Sequence, residues 1–304
     1  MTLNNLKFGI APIAWTNDDM PHLGKENTFE ACLSDIALAG FDGTEIGNKF
    51  PKDPDTLNYH LGLRHLSIGS MWFSSFLCSE SYHSNEQRFI DTLDFLGKIG
   101  ASRVNVCELT HCLIDSTQSM FNDNKPIANE KEWSLLCNGL NKLGAIANSK
   151  GIKLCYHHHM ATIVQTLPET IKLLNNTDSD KVHLCFDTGH FAFSDEDILK
   201  AYEQCHDRIS HIHFKDLRYE QIEIAKKDGY SFKEAVLNGC FTVPGDGMLD
   251  FLPVLKLIDE YEYSGWIIVE AEQDPATANP LEYAILAKYY IENLLKNYNK
   301  EVKL

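Results

Sequence analysis

Four apolar runs in the second half of the chain contain or end in side chains that bind metals or transfer protons. The runs span residues 152–156, 182–186, 209–214 and 266–269, and each has the length and composition of a buried strand. Their polar residues are His157, His158 and His159, Asp187 and His190, His211, His213 and Lys215, and Glu270 and Glu272. Barrel enzymes build their active sites from such groups at the carboxyl ends of successive parallel strands. The spacing therefore predicts one site shared by four strands.

The residue types at these strand ends predict a divalent metal site. Asp187 directly follows its strand, while His211 and His213 are two residues apart and so point to the same side. Glu270 and Glu272 also share one side, and two carboxylates in a packed interior are costly unless a cation or a proton neutralises them. We predict Asp187, His213 and Glu270 as ligands. Glu272 is the alternative to Glu270. A mixed nitrogen and oxygen set suits Mn²⁺, Co²⁺, Zn²⁺ or Fe²⁺.

Each motif also has an ordinary structural interpretation. Asp187 could cap a helix, the paired histidines could be buried structural residues, and the paired glutamates could form a solvated strand end. In the histidine triplet, alternation sends His157 and His159 to one side and His158 to the other. The triplet is either a solvated loop or a metal ligand beside a histidine that binds substrate. The glycine-rich loop 244–247 either holds a substrate hydroxyl or only turns the chain.

Strand-like and helix-like segments alternate along the whole chain. The other predicted strands span residues 8–14, 43–46, 66–72 and 103–107. The predicted helices span residues 28–40, 57–63, 85–100, 130–150, 168 onward, 194–205, 231–237, 252–261 and 280–295. Eight strands in strict alternation predict an α/β fold, a single (β/α)₈ TIM barrel domain over residues 1–304. One helix is expected to start at Ser194, with Asp197 at capping-box spacing. The features expected at the barrel mouth are Glu45, Trp72 at a strand end and the loop 110–129.

The composition restricts the classes of function. Of the 304 residues, 44% are apolar and 23% are charged, which is typical of a globular domain. The net charge of −16 argues against binding a nucleic-acid backbone, which requires clustered Lys and Arg. No apolar run approaches the ~18 residues of a membrane span, and the first residues lack the apolar core of a signal peptide. We expect neither a nucleic-acid nor a membrane partner.

The cysteines indicate a reducing compartment. There are nine, an odd count in a long chain, and no two are spaced as CxxC. A disulfide framework is typical of short secreted chains with an even count, so we expect a cytoplasmic protein. Cys155 and Cys185 lie inside strand runs and are expected in the core.

The strand ends resemble those of the xylose isomerase-like TIM barrels, which include sugar isomerases and epimerases, endonuclease IV and enzymes of inositol catabolism. The usual pattern in that superfamily is Glu, Asp, His and Glu at the ends of strands five to eight. Asp187, His213 and Glu270 match the last three of these. At strand five His157 stands in the place of the glutamate. The resemblance therefore implies a fourth ligand at that place, for which His157 is the candidate.

Five motifs narrow the resemblance to the inosose dehydratases, over residues 8–290. They are APIAWTN from Ala11, GTEIG from Gly43, YHHHM from Tyr156, FTVPGDG from Phe241 and VEAEQDP from Val269. The resemblance implies a hydro-lyase of myo-inositol catabolism that depends on Mn²⁺ or Co²⁺. Its members convert 2-keto-myo-inositol to a trihydroxycyclohexane-dione and water. Glutathione is reported as a cofactor for that family.

This reaction requires groups that move protons. A base removes the proton beside the ketone, an enediolate forms, and the β-hydroxyl leaves as water. A metal chelated by the ketone and its neighbouring hydroxyl would stabilise the enediolate as a Lewis acid. The candidates for proton transfer, which the sequence does not order, are Glu45, His159, His190, His211, Lys215 and Glu272. The expected partner is a small cyclitol or sugar, and the sequence is compatible with a homo-oligomer.

Three other functions fit parts of this pattern. A ketose isomerase or epimerase would use the same barrel and metal but return the proton without losing water. A repair nuclease related to endonuclease IV would need a basic groove, which the net charge of −16 opposes. A sugar-binding barrel would bind its ligand without metal or turnover. We expect the dehydratase ahead of all three.

Overall fold

The chain folds into a closed barrel of eight parallel strands, as the sequence predicts. A computed structural model describes residues 2–301. The strands are β1 Leu6–Ile10, β2 Gly43–Ile46, β3 Ser67–Ser75, β4 Arg103–Glu108, β5 Lys153–His157, β6 Val182–Asp187, β7 Ile209–Phe214, β8 Asp216–Leu217, β9 Phe241–Thr242 and β10 Gly265–Val269. β1 pairs with both β2 and β10, which closes the barrel, while β8 and β9 form a separate antiparallel pair.

Helices follow most barrel strands and cover the outside of the sheet. They are α1 Phe29–Leu38, α2 Pro54–Gly62, α3 Tyr82–Lys98, α4 Glu130–Ser149, α5 Leu167–Asn175, α6 Thr188–Phe193, α7 Ile198–Cys205, α8 Tyr219–Asp228, α9 Phe232–Leu237, α10 Phe251–Glu260 and α11 Pro280–Glu301. Local signals set their ends. α4, for example, begins with a capping box between Asn129 and Glu132. It stops before Gly151, which takes a positive φ of 70° that favours glycine.

The two-residue period of each strand separates the core from the site. Val104 and Val106 of β4 are fully buried in the apolar layer, while Asn105 between them points into the lumen and bonds to Glu45. β5, β6 and β7 follow the same rule, with apolar residues in the layer and polar residues or cysteines in the lumen. The lumen-facing residues of these strands are Cys155, His157, Cys185, Asp187, His211 and His213.

Two predicted strands have different ends in the structure. The first was expected over 8–14, but β1 ends at Ile10 and Pro12–Ala14 form a 3₁₀ turn. Proline lacks an N–H for the ladder and suits the first turn of a helix. The third was expected to end at Trp72, but β3 continues to Ser75, which pairs with Glu108 of β4. Trp72 therefore lies within its strand.

Helix starts were the other source of error. Ser194 was expected to cap a helix over 194–205, but it ends α6, and Asp197 caps α7 by accepting the N–H groups of Leu199 and Lys200. Neither α6 nor α8 was expected as a separate helix. The predicted helix 231–237 is confirmed as α9.

The expectation of a single domain over residues 1–304 stays a prediction, since Met1 and residues 302–304 lie outside the described residues. Within residues 2–301, no helix combines the length and the apolar character needed to cross a membrane. All nine cysteines are free thiols.

A buried carboxylate joins the carboxyl ends of β3 and β4. Glu108 is fully buried, and it accepts hydrogen bonds from the Ser75 and Thr110 hydroxyls and from the backbone N–H groups of Leu77, Cys78 and Thr110. Because several donors share its charge, the carboxylate is stable without a cation. It fixes the start of two loops that border the barrel mouth.

Glu108→Gln should lower the free energy of unfolding by about 1–3 kcal/mol, because the amide turns one acceptor into a donor that faces donors. Denaturant unfolding would measure this loss. Asp91→Asn, at an exposed carboxylate of α3, is the control and should change stability by less than about 0.5 kcal/mol. Equal stability of the Glu108→Gln variant and the wild type would contradict this account of the carboxylate.

Candidate metal centre and active site

The carboxyl ends of the barrel strands surround an open cleft. The residues that line it are Ala11, Pro12, Ile13, Asp18, Asp19, Glu45, Ile46, Trp72, Asn105, Ile114, His159, His213, Glu270 and Glu272. Six of these residues are apolar, and the other eight carry carboxylates, imidazoles or an amide. Ile114 belongs to the loop 110–129, which therefore borders the mouth as expected. This is the face on which barrel enzymes place their catalytic groups.

The Asp187 carboxylate is the centre of the polar side. Its Oδ1 accepts the backbone N–H of His190 at 2.8 Å and so caps α6. Its Oδ2 faces three imidazole nitrogens, His157 Nε2 at 3.3 Å, His213 Nδ1 at 3.5 Å and His190 Nε2 at 3.7 Å. The sequence analysis treated a helix cap and a metal ligand as alternative roles for Asp187. In the structure, one oxygen of the carboxylate caps the helix and the other faces the imidazole nitrogens.

Glu270 completes this cluster from β10. Its Oε2 lies 2.7 Å from His213 Nδ1. Ligand atoms of His157, Asp187, His190 and Glu270 all lie within 4.8 Å of one another. A metal held at about 2.0–2.2 Å by nitrogen and oxygen places neighbouring ligand atoms about 3–3.5 Å apart. The spacing of these donors therefore fits a divalent cation. Three of the four predicted ligands, His157, Asp187 and Glu270, belong to this group together with His190. The fourth, His213, contacts Glu270 and Asp187 but is not part of the group.

The side chain of Lys215 supplies a permanent positive charge to these acids. It is fully buried, and its Nζ lies 3.3 Å from Glu270 Oε2 and 3.7 Å from Asp187 Oδ2. Burial alone would raise the pKa of Asp187, but His190 and Lys215 hold it well below its usual range. Burial likewise opposes the ionisation of Glu270, yet Lys215 and His213 lower its pKa to about 2. Both carboxylates are therefore ionised.

The Glu45 carboxylate contacts the other ring nitrogen of His213, and also His211. Glu45 Oε1 lies 3.2 Å from His213 Nε2 and 2.8 Å from His211 Nε2. Burial would raise the pKa of Glu45, but the two histidines hold it well below its usual range. Burial would lower the pKa of His213, but Cys185, Glu270 and Glu45 raise it well above its usual range, so both ring nitrogens donate, Nδ1 to Glu270 and Nε2 to Glu45. A cation that replaced the Nδ1 proton would leave the Nε2 proton donated to Glu45. His211 does not line the cleft.

Glu272 lines the cleft and forms a second hydrogen-bonded group with Lys215 and His190. Its Oε1 accepts a hydrogen bond from Lys215 Nζ at 2.8 Å, and the same ammonium lies 3.0 Å from His190 Nε2. The other oxygen, Oε2, has no hydrogen-bond partner among the described residues. Burial raises the pKa of Glu272 to about 7, with Lys215 opposing and Glu270 adding to the rise. This carboxyl group can therefore hold or release a proton near neutral pH.

The histidine triplet divides as the alternation predicts. His158 points away from the lumen, stacks on Phe191 at 3.7 Å, and accepts the backbone N–H of Asp187. His159 faces the cleft, and its Nδ1 lies 2.7 Å from the carbonyl oxygen of Met160. A carbonyl only accepts, so Nδ1 carries the proton and Nε2 keeps a lone pair. Burial, with Lys215 and His157, lowers the pKa of His159 to about 3.

Of the predicted proton-transfer candidates, Glu45, His159 and Glu272 line the cleft, whereas His190 and Lys215 are fully buried behind it. The glycine-rich loop 244–247 does not line it. There Asp246 binds Arg218 and Thr242, which fixes a turn.

Sequence reasoning missed several cleft residues. Asp18 and Asp19 come from the loop after β1, and Asn105 comes from the middle of β4. The polar triplet Asn17-Asp18-Asp19 directly after the first strand was the available signal for two of them. Asn105 had a weaker signal, since it is the polar residue within an otherwise apolar strand.

Comparison with known proteins places this site in a family. Residues 33–292 match the model of the xylose isomerase-like TIM barrels. The inosose dehydratase of Clostridium perfringens is 52% identical over 289 residues, covering 95% of this chain and 97% of that protein. The inosose dehydratase of Lacticaseibacillus casei is 52% identical over 287 residues, covering 94% and 96%.

Solved structures share the fold at lower identity. A crystal structure of the IOLI protein with a bound zinc atom aligns with a TM-score of 0.71 at 18% identity, covering 96% of this chain and 99% of that chain. The probable 3-DHS dehydratase AsbF of Bacillus anthracis aligns with a TM-score of 0.72 at 12% identity, covering 94% and 98%. The chain therefore belongs to the inosose dehydratases, within the xylose isomerase-like TIM barrel family.

Proposed function

We propose that the chain removes water from 2-keto-myo-inositol and so forms 3D-3,5/4-trihydroxycyclohexane-1,2-dione. The observation that carries this proposal is the 52% identity to inosose dehydratases over 95% of the chain. The chemistry of the cleft supports it, because elimination beside a ketone requires both a stabilised enediolate and a proton carrier. The site contains a cluster of side chains of the types that bind divalent cations. It also contains Glu272, whose carboxyl group has a pKa of about 7.

An epimerase is the alternative that the same barrel would serve. It would return the proton to the enediolate instead of expelling a hydroxyl group. D-allulose 3-epimerase from Methylomonas sp. has the same fold, with a TM-score of 0.67, but only 18% identity. That likeness bears on the fold alone. The much higher identity to the dehydratases favours elimination.

We propose that Asp187, His213, Glu270 and His157 hold a divalent metal, Mn²⁺ or Co²⁺. When bound, the metal supplies Lewis acidity to the oxygens of the substrate. Asp187 and Glu270 supply negative charge, while His157 and His213 supply neutral nitrogen. Glu45 keeps His213 in the tautomer and orientation that this requires.

We propose Glu272 as the proton carrier of the reaction. Glu272 lines the cleft, and its buried Oε2 has no hydrogen-bond partner among the described residues, so the carboxylate can take the proton from the carbon beside the ketone and return it to the leaving hydroxyl. Lys215 stays an ammonium, because its pKa is raised: burial opposes its charge, but Glu270 and Glu272 outweigh burial. It therefore acts as a fixed positive charge near the enediolate. His159 Nε2 accepts a hydrogen bond from a substrate hydroxyl.

We propose a cytoplasmic, single-domain enzyme, which the nine free cysteines support. A small cyclitol is its partner. Glutathione enters the proposal only through the resemblance to the family, and no group of described residues is assigned to it. A homo-oligomer is compatible with the proposal.

Removing the metal should abolish turnover reversibly. Protein treated with a chelator should form no dione from 2-keto-myo-inositol, and added Mn²⁺ or Co²⁺ should restore it. The near-ultraviolet absorbance of the dione follows the reaction. Full activity in the chelated protein would refute the metal proposal, and metal-dependent conversion to an isomer would favour the epimerase.

Asp187→Asn should weaken metal binding by at least about 100-fold, because the amide keeps the helix cap but removes the negative charge. Metal content after dialysis and the metal concentration for half-maximal turnover measure this effect. Asp197→Asn is the matched control, since Asp197 caps α7 with no side chain of the cluster nearby. Unchanged metal content in Asp187→Asn would exclude Asp187 as a ligand.

Glu272→Gln should lower kcat by about 10²–10⁴-fold, the usual contribution of a general acid or base. Metal content should stay at the wild-type value, because the predicted ligands are intact. Glu282→Gln, at an exposed glutamate of α11, should leave kcat unchanged. A kcat within threefold of wild type would assign proton transfer to another group.

A further inference from the structure

The loop between β1 and α1 forms a wall of the cleft with two carboxylates. Asp18 and Asp19 both line the cleft, and Asp19 is half-buried. Among the described residues neither side chain forms an ion pair. Asp18 accepts one hydrogen bond, from the backbone N–H of Asn48 at 3.3 Å, while the Asp19 carboxylate accepts none. Asp18 is exposed and has one backbone donor, whereas the half-buried Asp19 carboxylate lines the cleft without a donor among the described residues.

This loop is held in shape by its own contacts. The Oδ1 of buried Asn17 accepts the backbone N–H groups of Asp19 at 2.9 Å and Met20 at 2.8 Å. The ammonium of Lys49 donates to three loop carbonyls, those of Gly24, Lys25 and Asn27, at 2.7–2.9 Å. The positions of the two carboxylates are thus fixed before any ligand arrives, which reduces the entropy lost on binding.

The charge of Lys215 offsets that of Asp19 only in part, and no cation forms an ion pair with either carboxylate among the described residues. Burial raises the pKa of Asp19 to about 6, with the charges of Asp18 and Asp115 adding to the rise. Asp115 has its own partner, Lys233, at 3.0 Å. No group of candidate metal ligands among the described residues includes Asp18 or Asp19. What would stabilise the pair is a ligand that donates hydrogen bonds, and a polyol is such a ligand.

We propose that Asp18 and Asp19 form a hydroxyl-recognition subsite for the part of the substrate ring that lies away from the metal. This inference rests on the proposed function and adds how the substrate class is selected. Each carboxylate accepts hydrogen bonds from ring hydroxyls, while Ile13, Ile114 and Trp72 contact the C–H faces of the ring. A site built to bond a hydroxyl discriminates against an analogue that lacks it, because the half-buried Asp19 carboxylate then loses a donor.

The test combines a change in the protein with a change in the substrate, in the manner of a double-mutant cycle. Wild type, Asp18→Asn and Asp19→Asn are assayed with 2-keto-myo-inositol and with analogues that each lack one ring hydroxyl. Asp19→Asn should raise KM for the full substrate by about 10- to 100-fold, the effect of weakening a charge-assisted hydrogen bond. Metal content should not change. Glu26→Gln, at an exposed glutamate of the same loop, is the matched control and should behave as wild type.

The decisive result is whether the loss of kcat/KM on removing a ring hydroxyl depends on the presence of the Asp19 carboxylate. One deoxy analogue should lose much of its kcat/KM with wild type but little with Asp19→Asn, because the two deletions remove the same contact. Equal losses for every analogue in both proteins, or an unchanged KM in Asp18→Asn and Asp19→Asn, would overturn the subsite.

Calorimetric binding of 2-keto-myo-inositol to the metal-loaded proteins separates this proposal from the reaction itself. Wild type that binds the cyclitol but forms no dione would refute the dehydratase, and weaker binding by Asp19→Asn would still support the subsite. Wild type that forms dione, with equal binding by Asp19→Asn, would refute the subsite alone.

Discussion

The two oxygens of the Asp187 carboxylate bind different parts of the structure, and the site depends on this division. Oδ1 caps α6 and so fixes where the chain turns after β6. Oδ2 is held among three imidazoles and an ammonium, away from water. Because the cap removes rotational freedom from the side chain, Oδ2 needs no further ordering to meet a cation. The fold and the chemistry therefore constrain the same residue.

The buried carboxylates around Asp187 each have a partner that compensates their negative charge. Asp187, Glu270 and Glu272 would be unstable together in a packed interior, and Lys215 lies between them. Its aliphatic chain is accommodated because residue 189 is glycine, where a Cβ would lie 2.5 Å from Lys215 Cγ. Outside this cluster, Glu45 is balanced by two histidines and Glu108 by uncharged donors. Different acids of one barrel mouth are thus stabilised by different means.

The sequence predicted what depends on local periodicity. The two-residue period of strands placed His211 with His213, and Glu270 with Glu272, and the ends of successive strands brought Asp187 and His157 to the same place. It wrongly predicted Ser194 as the helix cap in place of Asp197, since both residue types cap well. α6 escaped prediction because five of its six residues are buried, so the helix has no amphipathic period. Asp18 and Asp19 escaped functional assignment because they lie in a loop without periodicity, whose shape depends on Asn17 and on Lys49, a residue distant in sequence.

The attachment of that loop has a consequence for how binding measurements are interpreted. Lys49 holds the loop through carbonyl oxygens, which do not gain or lose protons as the pH changes. The backbone of this wall should therefore keep its shape over the range in which Asp18 and Asp19 change charge. A change in cyclitol affinity over that range would report the charges of the cleft carboxylates, those of Asp18, Asp19 and Glu272, and not a movement of the wall that carries the first two.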